Sequence, residues 1–179
     1  MIKIDTEEVI NQNIDFLDGV VPEAFSRAYP QREHYKLLTN IAFQLNYSLI
    51  LDMGTCEGYS AVCLARNLSN RVISYDIVKQ DHPILPNIEY RTMDCNHEKD
   101  SVLNSAALIF VDLGHDGEDE KKLSDRLSNI GYKGLMLCDD IRHSQTTRHW
   151  FINLPFKKYD ITEWGHWSGT GIVDFSKPL

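Results

Sequence analysis

Short, unbroken apolar runs alternate along this chain with segments whose apolar residues return every three or four positions, and that alternation begins near residue 46. The residues before it read as helical. Thr6 is expected to cap a first helix with Glu7 and Glu8 in its opening turn. Arg32 to Leu45 repeats apolar residues at Tyr35, Leu38, Ile41, Ala42 and Leu45, a helical spacing. Ser48 to Asp52 then predicts a buried strand, and Gly58 to Leu68 a helix with Ala61, Leu64, Ala65 and Leu68 on one face. Arg71 to Asp76 is a second strand and Asn87 to Arg91 a weaker third. Ala106 to Asp112 is the most continuous apolar run, as expected of a strand covered on both faces. Glu118 to Leu127 reads as a helix that Gly131 closes as its C-cap, Gly134 to Asp139 as a strand and Gln145 to Leu154 as a helix. Phe156 to Ile161 and Gly171 to Phe175 predict an antiparallel hairpin.

Strand–helix alternation of this kind implies a mostly parallel sheet with helices on both faces. Ligands of such sheets bind outside the carboxyl ends of the strands, where strand order reverses. Four of the predicted strands close on an acid: Asp52, Asp76, Asp112 and Asp139. One acid at a strand end is ordinary solvation; four in succession point to a site.

Composition narrows the partners. The 179 residues suit one domain, 1–179, with residues 1–46 a helical segment ahead of the sheet. A formal charge of −8 argues against nucleic acid, whose phosphates are bound by surplus Lys and Arg. The run Ala106 to Val111 is far too short for a bilayer, and the acidic opening lacks a secretory pattern, so a cytoplasmic protein is expected. Cys56, Cys63, Cys95 and Cys138 form no C-x-x-C pair, which suggests neither a zinc site nor a disulfide framework. A homo-oligomer is left open.

The loop Asp52-Met53-Gly54-Thr55-Cys56-Glu57-Gly58-Tyr59-Ser60 joins a strand to a helix. Its glycines allow a tight turn and close approach of a ligand to the backbone. A nicotinamide-dinucleotide fingerprint would need glycine where Cys56 stands, and a P-loop would need a lysine. What remains, D-x-G-x-x-x-G, resembles motif I of the class I S-adenosylmethionine-dependent methyltransferases; a plain turn is the other reading. The resemblance implies a Rossmann-like seven-stranded α/β fold and a cofactor site on Asp52, Gly54, Thr55, Gly58 and Ser60. A carboxylate at Asp76, roughly twenty residues on, suits the ribose hydroxyls. Asp94 falls where this class contacts the adenine edge.

Asp112-Leu113-Gly114-His115-Asp116-Gly117 and Asp139-Asp140-Ile141 are similar to the D-x-x-H-D-G and D-D-I segments of a bacterial and phage-type branch of that class. Their acids also resemble in placement the metal ligands of catechol-type O-methyltransferases. The resemblance implies a hard divalent ion, Mg²⁺ or Mn²⁺, on Asp112, Asp139 and Asp140. The alternative is that Asp139 and Asp140 cap the next helix. The branch carries an Asn shortly after D-D-I, where this chain has Arg142-His143-Ser144. The terminal Gly165-His166-Trp167-Ser168-Gly169-Thr170-Gly171 is similar to the branch's last strand turn, so the likeness spans about residues 30–179. Trp164 and Trp167 then either pack as scaffold or line the substrate mouth.

Together these imply methyl transfer to a hydroxyl of a small molecule or sugar, with Asp112, His115 and His143 as the catalytic candidates. His34, His82, His97 and His149 belong to no constellation and are expected at the surface or in packing. The rival readings are a non-catalytic S-adenosyl-nucleoside or nucleotide binder, which lacks turnover, and a nicotinamide-dependent oxidoreductase, against which Cys56 speaks.

Overall fold

The computed structural model describes residues 2–17 and 33–179; Arg32, where the second helix is expected to begin, lies outside them. The elements run α1 (Thr6–Ile10), α2 (Tyr35–Gln44), β1 (Leu49–Met53), α3 (Tyr59–Leu64), β2 (Arg71–Asp76), β3 (Ile88–Thr92) and α4 (Asp100–Ser105). There follow β4 (Ala106–Val111), α5 (Glu118–Asn129), β5 (Leu135–Cys138), α6 (Gln145–Asn153), β6 (Phe156–Asp160) and β7 (Gly171–Pro178). The strands form one seven-stranded sheet in the order β3-β2-β1-β4-β5-β7-β6. β3 to β5 are parallel, and β7 lies antiparallel to both β5 and β6.

The apolar runs are continuous because each central strand is buried on both sides. Leu51, Met53, Ile109 and Val111 enter one core, while Ile50, Leu108 and Phe110 enter the other against Leu38 and Ile41 of α2. The weak third strand is the sheet's edge, which explains its half-buried residues. Order reverses between β1 and β4. The strand ends there are tied in steps: Gly54 donates its N–H to Tyr75 O (3.0 Å), Asp112 to Met53 O (2.9 Å) and Asp139 to Val111 O (2.9 Å). The acids after β4 and β5 and the loop after β1 are therefore brought to one rim.

Several local expectations need correction. Asp5, not Thr6, caps α1, accepting from the Glu7 and Glu8 N–H groups at 2.9 and 3.1 Å; the Thr6 hydroxyl instead accepts from Trp164 Nε1. The third helix stops at Leu64, so Leu68 leaves the apolar face and stands 67% exposed. Past its end Asn67 Oδ1 accepts from the Ser69 N–H (3.1 Å), a local alternative that such side chains offer the backbone, while the amides of Asn67 and Asn70 tie this turn to the Leu45 carbonyl at the end of α2 (2.6 and 2.9 Å). Ile130 is the C-cap of α5, and Gly131 takes the left-handed conformation one residue later (φ +73°). Asp139 and Asp140 do not cap α6; Ser144 does, in a reciprocal box with Thr147. The helix α4 was not expected, because Asp-Ser-Val-Leu-Asn-Ser is too short and polar to show a period. No helix among the described residues is long and apolar enough to cross a membrane.

Candidate cofactor cleft and acid–histidine centre

The β1–α3 loop is held against the end of β4. A Cβ on Gly54 would lie 1.8 Å from the Asp112 carbonyl oxygen, and the residue sits at φ +106°, so only glycine fits this approach. Beneath the loop runs a chain of short hydrogen bonds. Ser74 Oγ donates to Asp52 Oδ2 at 2.5 Å and also meets Thr55 Oγ1 at 2.5 Å. Asp52 is wholly buried, and desolvation pushes its carboxyl up to about 7 despite the Ser74 and Ser60 hydrogen bonds. Asp52 thus supports the loop from below and lines no cleft.

A cleft of about 490 Å³ opens between the ends of β1, β2 and β4, with Asp76, Asp94 and Asp112 in its wall. Asp76 accepts from the N–H of Cys56 and of Val78, both at 2.8 Å, which fixes its carboxylate at the loop. Asp94 accepts from Asn96 N–H (2.8 Å) and is fixed in the same way. Each oxygen has a second lone pair open to a ligand. Thr55 and Ser60 line a second cleft instead, and Gly58 (φ +84°) serves as the N-cap of α3.

The second cleft, about 250 Å³, shares Gly54, Cys56, Asp112 and His115 with the first. It holds five acids, Glu33, Glu57, Asp112, Asp139 and Asp140, with the three imidazoles of His34, His115 and His166. Six of these side chains fall into two groups, Asp112 with His115 and Asp140, and Asp139 with His34 and His166; within each, the candidate ligand atoms lie within 4.8 Å of one another. His115 Nδ1 is 2.5 Å from Asp140 Oδ2 and 3.7 Å from Asp112 Oδ1. Asp139 Oδ2 is 3.2 Å from His166 Nδ1 and 3.4 Å from His34 Nδ1. The adjacent acids diverge because Asp140 is left-handed (φ +57°).

The ionisations follow from these contacts. Burial pushes Asp112 up to about 6, helped by the charge of Asp139. Burial would also raise Asp139 and Asp140, yet their imidazole partners hold both well below the usual carboxylate range. The contact with Asp140 raises His115 to about 9. Burial opposes a charge on His166, but Asp139 and Asp140 carry it up to about 10. His34, opposed by burial in the same way, is raised by Asp139.

Of the residues expected to ligate a metal, Asp112 and Asp140 therefore come together with His115, while Asp139 turns to the other pair. A hard cation fits the first group: two carboxylates and an imidazole converge, and Asp140 Oδ1 and His115 Nδ1 are buried without an aligned hydrogen bond. His143 lies just outside, exposed, its ring 5.6 Å from that of His115 and its Nδ1 4.0 Å from Asp140 Oδ1. Against expectation, His34 is in the site; it is only 4% exposed and packs on Phe110. His82 is also engaged, stacked on Tyr90 with Nε2 3.1 Å from Cys56 O. Glu33 and His34 carried no local signal, because they precede the sheet by a stretch of chain and meet Asp139 only in the fold. Trp167 is 66% exposed, touches His166 edge-on and lines neither cleft.

Sheet order, the antiparallel β5-β7-β6 edge and the site at the reversal point define the Rossmann-like methyltransferase fold. Among solved structures the chain resembles a methyltransferase from Geobacter sulfurreducens, at 15% identity over 92% of this chain and 95% of that one (TM-score 0.53). It also resembles an SAH-bound methyltransferase from Podospora anserina, at 13% identity over 78% of each chain (TM-score 0.52). An O-methyltransferase from Bacillus cereus in complex with SAH matches at 17% identity over 78% of each chain (TM-score 0.52). No protein-family model matches the sequence, and no curated protein does.

Proposed function

We propose that this chain transfers a methyl group from S-adenosylmethionine to a hydroxyl oxygen of a small molecule or sugar. The observation that carries the reading is the shared wall: a nucleoside-sized cleft with Asp76 and Asp94 abuts an acid–histidine cleft across Gly54, Cys56, Asp112 and His115. In this reading Asp76 takes the ribose hydroxyls, Asp94 the adenine edge, and the Gly54–Ser60 loop the rest of the cofactor. The acceptor hydroxyl enters from the second cleft. The acceptor O–CH₃ bond forms as the sulfonium S–CH₃ bond breaks, leaving S-adenosylhomocysteine and a proton to be taken up. Much of the work is positioning, because an in-line displacement gains most from holding its partners aligned.

The protein's part in proton removal follows from the contacts above. Without a cation, the contact with Asp140 favours a proton on His115, which then acts as a charged hydrogen-bond donor; a cation would take His115 Nδ1 in place of that proton. In the cation's absence Asp112, on the shared wall, is an acceptor for the proton; with a cation on Asp112 and His115, the exposed His143 remains. Asp112, Asp140 and His115 would hold a divalent cation such as Mg²⁺ or Mn²⁺, with Asp139 close behind them. Its Lewis acidity would lower the pKa of the acceptor hydroxyl.

The test is release of S-adenosylhomocysteine with a panel of phenols, catechols and sugars, in Mn²⁺ and in excess chelator. The reading expects one acceptor class to gain a methyl group. Tight cofactor binding with every hydroxylated acceptor left unmethylated would instead make this a non-catalytic S-adenosyl-nucleoside binder.

A further inference from the structure

We propose that His34, Asp139 and His166 form a second metal site, suited to a divalent transition ion of the Zn²⁺ or Co²⁺ kind and adjoining the carboxylate-rich Asp112–Asp140 group, whose Asp140 Oδ1 stands 3.6 Å from His166 Nδ1. Two imidazoles and one carboxylate are a borderline donor set that favours such ions over Mg²⁺ or Ca²⁺. Two of the three ligand-to-ligand spacings are those of tetrahedral neighbours, and the third lies within 4.8 Å. With metal–ligand bonds of about 2.0–2.1 Å, tetrahedral neighbours stand about 3.3–3.4 Å apart. Asp139 Oδ2 lies 3.4 Å from His34 Nδ1 and 3.2 Å from His166 Nδ1.

A second, independent observation comes from His34. Its ring is 4% exposed, yet Nδ1 has no hydrogen-bond partner although Asp139 faces it, because the contact is out of line. An orphaned ring nitrogen this deeply buried calls for a ligand. Two further features suit a metal. Glu33 Oε1 stands 3.7 Å from His166 Nε2, on the far side of that ring, where a carboxylate favours a proton on Nε2 and leaves Nδ1 for an ion. The three side chains all line the second cleft, so the site has an open side for water or substrate oxygen. Ser168 Oγ lies 2.6 Å from His166 Nδ1, and the same hydroxyl also bonds Asp140, which remains as its partner when an ion takes the nitrogen.

The site stands whether or not the chain transfers methyl groups, and its test needs no acceptor. Chelator-stripped protein is titrated with Co²⁺ in saturating Mg²⁺, followed by visible ligand-field absorption and calorimetry. We expect one equivalent of Co²⁺ bound with visible bands. His34→Gln and Asp139→Asn should weaken it by about tenfold or more, while Asp112→Asn leaves it in place. Near-ultraviolet dichroism reports whether each variant is folded. If His34→Gln fails that check, His166→Gln, at the partly exposed ligand, is read in its place. Absence of Co²⁺ uptake in Mg²⁺ overturns the proposal, and so does uptake that survives loss of a histidine but disappears in Asp112→Asn.

Discussion

Asp52→Asn turns the burial of one carboxyl into a measurable pH dependence. Asp52 is fully buried, its Oδ2 accepts from Ser74 at 2.5 Å and its Oδ1 has no partner, an arrangement that suits a neutral acid. Desolvation raises its pKa from 3.8 to about 7. The folded state therefore binds this proton more tightly than the unfolded chain. The resulting stability is fully present below about pH 4 and is lost as pH rises through 7. At 1.36 kcal/mol per pKa unit, a rise of about three units amounts to about 4 kcal/mol, an upper limit because local relaxation softens the cost. The amide introduced by the substitution keeps an oxygen for Ser74 and does not titrate. Every other group is common to both proteins, so the difference between them reports Asp52 together with its influence on the neighbouring Asp112. Urea unfolding of both at intervals between about pH 4 and pH 8 should show Asp52→Asn gaining on the wild type across that window. A constant gap would mean that Asp52 titrates at its ordinary value, and the account of the loop's buried support would be wrong.

Gly54→Ala should not be tolerated. The added methyl meets a backbone carbonyl at 1.8 Å and the residue is left-handed, so the loop must move, with a lower melting temperature and weaker S-adenosylhomocysteine binding; a variant matching wild type in both would contradict the close approach. Trp167→Ala should behave as a surface change, within about 0.5 kcal/mol of wild type, because the ring is 66% exposed. A fall of several kcal/mol in thermal unfolding would show that Trp167 packs as scaffold after all.

The sheet was legible because its central strands are buried on both faces, so Ala106–Val111 and Leu135–Cys138 stand out as apolar runs of strand length. The rim was legible because polar residues at strand ends interrupt those runs. What sequence could not give was long-range pairing. His34 and Glu33 reach Asp139 and His166 across more than a hundred residues, where no local spacing can report them. Nor could it separate two consecutive aspartates. Only the left-handed backbone at Asp140 sends its carboxylate to His115 while Asp139 faces His34. Thr6 and Leu68 failed differently, since a cap moved by one residue or a helix that stops at Leu64 leaves the apolar pattern almost unchanged.

Calorimetry with S-adenosylhomocysteine on the wild type and on Asp76→Ala tests the central claim, that the larger cleft is an S-adenosyl site. Asp76 holds the Cys56 and Val78 N–H groups at 2.8 Å and keeps lone pairs for the ribose. The account predicts one site per chain in the wild type. Loss of the charged acceptor should weaken binding by about 1.5–3 kcal/mol, roughly tenfold to 150-fold. No heat of binding in the wild type, or equal affinity in the two proteins, would contradict it.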